Sequence, residues 1–170
     1  KLGVDLCDLD YVVLSHGHLD HTWGMFSLIQ HYTERLLEGR AVKRPRLVAH
    51  PAVLASRKYG SMPEVGSLLT REKLSGFFDL QLSREPRQLT EHLRFLGEIK
   101  RITDFEAREP LGRTIENGQE SDDDLRDDTA IVYQSVEGLV IITGCSHSGI
   151  CNIVEHAKTV CGDQRVMDII

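Results

Sequence analysis

Apolar and polar residues alternate along this chain in blocks that can be read one at a time. Tyr11-Val12-Val13-Leu14 is a short, β-branched run that predicts a buried strand, fed by a short helix or turn over residues 1–10. Beyond Thr22-Trp23-Gly24, the positions Met25, Phe26, Leu28, Ile29, Tyr32, Leu36 and Leu37 recur at helical spacing. They predict a helix of about 15 residues that Gly39 stops. Leu47-Val48-Ala49 predicts a second strand, closed by His50-Pro51. Residues 51–75 mix a short helix with a Gly/Pro-bearing loop. Then Phe78, Leu80 and Leu82 alternate, and Leu93, Phe95 and Ile99 follow as a second strand-like set beyond Glu85-Pro86. Residues 103–128 are polar and predict a long loop, either mobile or a lid whose last acids, Asp127 and Asp128, are anchored. Thr129–Val136 and Leu139–Thr143 flank Glu137-Gly138 and predict a hairpin. Its second strand runs through Gly144-Cys145-Ser146-His147-Ser148-Gly149 into a helix with Ile150, Ile153, Val154, Ala157, Val160 and Cys161 on one face. Arg165 to Ile170 reads as the start of a further strand.

Composition narrows this picture without redirecting it. The length, 170 residues, suits one domain with a real core, and the net charge of −6 gives no support for nucleic-acid binding. No run is long or apolar enough to cross a membrane, and no signal peptide is visible. Cys7, Cys145, Cys151 and Cys161 form no C-x-x-C pair and no evident disulfide framework, so a reducing cytoplasm is the expected compartment. Cys151 and Cys161 read as core residues, and His31, His92 and His156 as surface ones.

The chemistry concentrates where the first strand ends. Ser15-His16-Gly17-His18-Leu19-Asp20-His21 places four candidate metal ligands within six positions. Gly17 permits a tight turn. His16 and His18, two apart, project to the same side of an extended segment, while Asp20 and His21 open the next helix and point into the same space. That set suits one or two divalent ions. The strand–Gly144-Cys145-Ser146-His147-Ser148-Gly149–helix segment repeats the arrangement, with His147 at the mouth of a helix after a buried strand. His50, at a strand's C-terminal end, either faces the ligand crevice or caps a loop.

The H-x-H-x-D-H motif over residues 16–21 resembles the signature of the metallo-β-lactamase superfamily. With Asp127-Asp128-Thr129-Ala130 and the 144–149 loop, the similarity is to the branch named for 7,8-dihydropterin-6-methyl-4-(β-D-ribofuranosyl)aminobenzene-5′-phosphate synthase. The resemblance implies an α+β fold, a four-layer αββα sandwich, as one partial domain over residues 1–170 that is truncated at both ends. It implies metal ligation by His16, His18, Asp20, His21 and His147, with His16 and His18 on one ion and the Asp20–His21 pair on a second. Asp20 is the candidate catalytic residue, both as ligand and as the group that orients the attacking water. Many members carry Gly-Asp where this chain has Gly144-Cys145, so Cys145 or Asp128 is a further candidate ligand or supporting group. A final His that the branch supplies near its end has no counterpart before Ile170. The implied cofactor is Zn, with Fe or Mn as alternatives, as one or two ions. The implied activity is metal-dependent hydrolysis of a small ester or phosphoester, with a small-molecule substrate, no nucleic-acid or membrane partner, and a homo-oligomer as an open option. Two alternatives differ in class: a metal-binding fragment without turnover, and a di-iron redox protein on the same fold.

Overall fold

The computed structural model describes residues 3–106, 109–116 and 118–170. The first four strands are β1 (Tyr11–Val13), β2 (Arg46–Ala49), β3 (Ser56–Lys58) and β4 (Asp79–Leu82). Three of them form a parallel sheet in the order β1-β2-β4, in which Val12 pairs with Leu47 and Leu47 with Leu80. The central strand carries Leu47, Val48 and Ala49 fully buried, as a parallel strand covered on both faces requires. On one face lie the helices α2 (Gly24–Leu37) and α3 (Arg71–Ser75), entered through the short helix α1 (Leu19–Thr22). Leu14, Leu47 and Ala49 meet Met25, Tyr32, Leu74 and Phe78 there in one buried cluster.

The second sheet is built from β5 (Arg87–Gln88), β6 (Leu93–Phe95), β9 (Ala130–Gln134), β10 (Leu139–Thr143) and β11 (Val166–Ile169), in the order β11-β10-β9-β6-β5. The β9–β10 hairpin turns at Gly138, whose φ of 147° lies outside the range L side chains readily adopt. Ala130, Val132, Leu139 and Ile141 bury against Ile153 and Ala157 of α4 (Ile150–Cys161), so the alternate residues Ile131 and Ile142 face the other way. They meet β1 there: the Thr129 amide donates to the Ser15 carbonyl at 3.0 Å, and Val13, Ile131 and Ile142 line a cavity of about 300 Å³. The layers are thus helix, sheet, sheet, helix, an α+β sandwich with the ends of β1 and β10 side by side.

Residues 103–128 depart from the loop expected of them. Its middle is a hairpin of β7 (Arg113–Glu116) and β8 (Gln119–Asp122), which pairs with β3 in a third sheet, β3-β7-β8. Polar composition hid it, because these strands are largely exposed and cross-paired by charge, as where Arg113 meets Glu120 at 3.3 Å. Residues 107, 108 and 117 of the expected loop lie outside the described residues. Other expectations shift in smaller ways. His156 is buried and lies 3.1 Å from the Leu96 carbonyl oxygen through Nε2, because α4 is flanked by more of the chain than its apolar face alone demands. His31 is half-buried with Nε2 3.5 Å from the Cys7 sulfur. Phe26, Leu36 and Leu37 sit at helical spacing yet remain exposed on α2, while Met25 and Tyr32 carry its buried face. His92 is exposed, as expected.

Candidate metal centre

Two strand–loop–helix segments bring the site together. In the first, β1 ends at Val13 and the chain runs extended through His18, which caps α1 at φ −68° and ψ 156°. The Thr22 hydroxyl donates to the His18 carbonyl at 3.0 Å and fixes the turn, while the Leu19 amide donates to the Val65 carbonyl at 2.8 Å. In the second, β10 passes through Gly144 into a loop where Ser146 adopts a left-handed φ of 57°, before α4 begins after Gly149. Gly144 is the point of closest approach. A Cβ there would stand 2.5 Å from the Ser15 hydroxyl, so a side chain would push the two loops apart.

Three imidazoles form a near-equilateral triangle. Ring centroids of His16 and His18 are 4.8 Å apart, those of His16 and His147 4.8 Å, and those of His18 and His147 4.9 Å. Each can offer one nitrogen such that the three atoms lie within 4.8 Å of one another. The His21 ring centroid is 4.1 Å from that of His16, and His16, His21 and Cys145 form a second set within the same limit. At that rim, His21 Nε2 lies 3.2 Å from the Cys145 sulfur and 3.4 Å from Asp20 Oδ2. Asp20 itself is exposed, in the first turn of α1, where a carboxylate is favoured by the helix dipole.

The hydrogen bonding leaves gaps shaped for a cation. Ser15 Oγ lies 3.2 Å from Nδ1 of His16 and 3.2 Å from Nδ1 of His21, holding both rings by one edge. Nε2 of His16, Nε2 of His147 and Oδ1 of Asp128 are buried without a hydrogen-bond partner among the described residues. Leaving a buried polar atom without a partner costs about 1–3 kcal/mol each, and the two imidazole nitrogens belong to rings of one triangle. A cation taking lone pairs from imidazole nitrogens would satisfy both. Burial, with the neighbouring His21, His18 and His147 rings, pushes the His16 pKa down to about 2. Burial, His147 and Arg57 lower that of His18. Both rings are therefore neutral with lone pairs available at neutral pH, the state a ligand must have. Partial burial, then the carboxylates of Asp20 and Asp128, push the Cys145 thiol up.

Two adjacent acids hold the two loops. Asp127 Oδ2 accepts from the Gly17 amide at 2.8 Å, and Asp128 Oδ2 accepts from the Ser148 amide at 2.8 Å. Behind Asp127 stands Arg57, only 2% exposed, whose Nη2 donates to Asp127 Oδ1 and whose Nε donates to Asp123 Oδ2, both at 2.7 Å. A Cβ on Gly17 would stand 1.9 Å from Arg57 Nη1, so glycine is what lets the guanidinium sit against the ligand loop. The sequence pattern pointed to Asp127 and Asp128 by their place before a strand. Arg57 and Asp123 went unseen, the one in a short strand with no apolar signature, the other inside an acidic run that reads as solvated. His50 lies apart. It is fully buried, its Nδ1 accepts from the Ala52 amide at 3.1 Å, and its Nε2 donates to Glu98 at 3.2 Å. Of its two expected places, it takes the loop cap, starting the 3-10 turn Pro51–Leu54.

An αββα sandwich with a histidine triangle at the ends of two inner strands defines the class, a sandwich fold with a candidate metal centre. The family model described as the metallo-beta-lactamase superfamily matches residues 1–156, and the chain belongs to that superfamily. A 7,8-dihydropterin-6-methyl-4-(beta-D-ribofuranosyl)-aminobenzene-5'-phosphate synthase of Methanocaldococcus jannaschii is 29% identical, over 99% of this chain and 57% of its own. An uncharacterized protein of the same organism is 31% identical, over 88% of this chain and 52% of its own. The first of these relatives carries the name of the branch that the sequence motifs resemble. The crystal structure of Tm1679, described as a metal-dependent hydrolase of the beta-lactamase superfamily, superposes with a TM-score of 0.71 at 25% identity, covering 93% of this chain and 54% of that one. The chain thus spans about half the length of the relatives it matches. Among the described residues, no helix is long and apolar enough to cross a membrane.

Proposed function

We propose that this chain carries the metal centre of a hydrolase acting on a small ester or phosphoester, with zinc as the metal. The observation that carries the reading is the triangle of His16, His18 and His147 with two of its inner nitrogens left without partners. Three imidazoles suit zinc with an open position, and a bound divalent ion supplies Lewis acidity and brings the pKa of water it holds to about 7. The chain's own groups supply the rest. His16, His18 and His147 hold the ion. His21, with Cys145 and Asp20 beside it, offers donors for a second one. Asp20, exposed at the rim, is free to accept a proton from an attacking water and so orient it. Ser15 fixes the edges of two rings, and Asp127 and Asp128 keep the loops that carry them in register. The four free cysteines fit a reducing compartment such as the cytoplasm.

The synthase name of the 29%-identical relative favours a second reading of the same centre, a group transfer in place of hydrolysis. The two part on the acceptor, water in one and a second organic substrate in the other. Elemental analysis of the protein purified without chelators tests the shared claim, with about one or more zinc per chain expected. Replacing His16 and His18 together by alanine should abolish stoichiometric metal, and retention of wild-type metal by that variant overturns the reading. Release of nitrophenolate from bis(4-nitrophenyl) phosphate or 4-nitrophenyl acetate in water alone then favours hydrolysis over transfer.

A further inference from the structure

Two of the cavities beside the metal centre differ in chemistry. One, about 580 Å³, opens on the Cys145–His147 side and is walled by charged and polar groups such as Arg101, Glu106, Glu109 and Ser146. The other, about 340 Å³, has His18 and Asp20 at one end and is otherwise apolar. Its walls are Leu19, Tyr59, Met62, Val65 and Leu111, and Leu111 borders both cavities.

The apolar walls come from segments with little other reason to be apolar. Tyr59, Met62 and Leu111 are 48%, 45% and 36% exposed, in stretches otherwise rich in polar residues. Their backbone is nonetheless fixed. Tyr59 and Met62 form an antiparallel bridge, with the Met62 amide donating to the Tyr59 carbonyl at 3.0 Å. The Glu64 carboxylate accepts from the amides of Arg57 and Gly66, at 2.9 and 2.6 Å. The Trp23 indole donates to the Gly66 carbonyl at 2.8 Å. Gly112, at φ +87°, lies so close to Lys58 that a Cβ would stand 2.2 Å from its carbonyl oxygen, which sets Leu111 beside Tyr59. The Leu19–Val65 backbone bond ties this wall directly to the ligand loop. Exposed apolar side chains on a fixed frame, opening onto ligand residues, are the features of a small-molecule pocket.

We propose that this cavity is a specificity pocket for an aromatic group of the substrate, whose oxygen-bearing end lies at His18 and Asp20. The proposal rests on the metal reading given above and names the substrate class for it. A volume of about 340 Å³ sits at the small end of ligand pockets and fits a planar ring system, not a polypeptide helix. Tyr59 offers a ring for offset stacking, and Met62 a thioether that packs well on an aromatic edge. The charged cavity beyond Leu111 then receives the polar remainder, so the scissile bond lies at the junction of the two.

The three methionines make the test direct. Met62 lines the pocket, Met25 is buried in the α2 cluster, and Met167 lies exposed on β11. Zinc-loaded protein with 13C-methyl methionine is titrated with 2-naphthoate and, separately, with acetate, two carboxylates that differ in the aromatic group. Naphthoate should bind about tenfold more tightly and shift the Met62 methyl signal while leaving those of Met25 and Met167 in place. Tyr59→Ala and Leu111→Ala should each remove most of that preference with zinc content unchanged. Equal affinities, or a naphthoate shift at Met167 as large as at Met62, overturn the proposal. Failure of the protein to take up zinc overturns the metal reading by itself, and the Met62 shift, read with or without the ion, still decides the pocket.

Discussion

The two ligand loops follow one plan and are held by different means. Each leaves a buried strand, turns through small residues and delivers histidine at the mouth of a helix. The first, residues 15–21, carries three histidines and leans on a buried guanidinium: Arg57 grips Asp127, and Asp127 takes the Gly17 amide. The second, residues 144–149, carries His147 alone and leans on Asp128, which takes the Ser148 amide and pairs with no arginine among the described residues. Burial raises the Asp128 pKa, the reverse of what an adjacent guanidinium would do. Adjacent acids on one short segment thus clamp both loops, but only one clamp is neutralised within the protein. The other has a buried carboxylate oxygen without a hydrogen-bond partner among the described residues.

Removing the guanidinium should give the largest effect. In Arg57→Leu, Asp123 and Asp127 stay buried, at 4% and 0% side-chain exposure, with no countercharge. Breaking a buried pair on one side costs about 3–5 kcal/mol. Urea unfolding of the metal-free variant should show a loss of that size, and zinc affinity should fall with it as Gly17 is released. A loss under about 1 kcal/mol would mean that the network does not brace the first loop.

Asp128→Ala tests the second clamp and should cost less. It removes a charged acceptor from a buried amide, about 1.5–3 kcal/mol, and frees the loop that carries His147. Groups that orient ligands from behind commonly change metal affinity by about 10–100-fold when removed. Competition with a chromophoric chelator should therefore show weakened zinc with the Gly17–Asp127 contact intact, read from the unchanged Gly17 amide resonance. If zinc affinity holds while stability drops, Asp128 is a structural clamp only.

The asymmetry between the clamps explains what could be read in advance. The ligand loops were legible because metal chemistry forces rare residue types into close spacing, and H-x-H-x-D-H and the 144–149 loop each follow an apolar strand. The strands Leu47–Ala49 and Leu139–Thr143 and the α4 helix were legible because burial writes itself as apolar period. The β7–β8 hairpin was not, since its strands face solvent and pair by charge. Arg57 could not be found for a related reason: its partners, Asp123 and Asp127, lie 66 and 70 residues away, and nothing local marks an arginine as buried. His50 and His156 show the limit of reading one residue type. An imidazole at a strand end or off an apolar face is as readily a satisfied internal hydrogen-bonding group as a ligand or a surface residue.

Acid should separate the first loop's energetics more gently than either substitution. His16 titrates near 6.5 when unfolded but about 2 when folded, and burial lowers His18 as well. Between those limits the unfolded chain binds protons that the native loop refuses, so stability rises with pH across the window and is lost on acidification below about 6.5. Each such group contributes a slope of at most about 1.4 kcal/mol per pH unit. His50 and His156, both lowered by burial first, act with the same sign away from the centre. Replacing His16 by glutamine should flatten the slope of metal-free protein between pH 6.5 and about 4 by no more than that one-proton limit, because Gln has no proton to take up in either state. Urea titrations at pH 7.5, 6.5, 5.5 and 4.5, each in the presence of a chelator, measure it. A His16→Gln slope equal to that of the wild type would show that the His16 ring is protonated in the folded loop and is not held neutral by its burial.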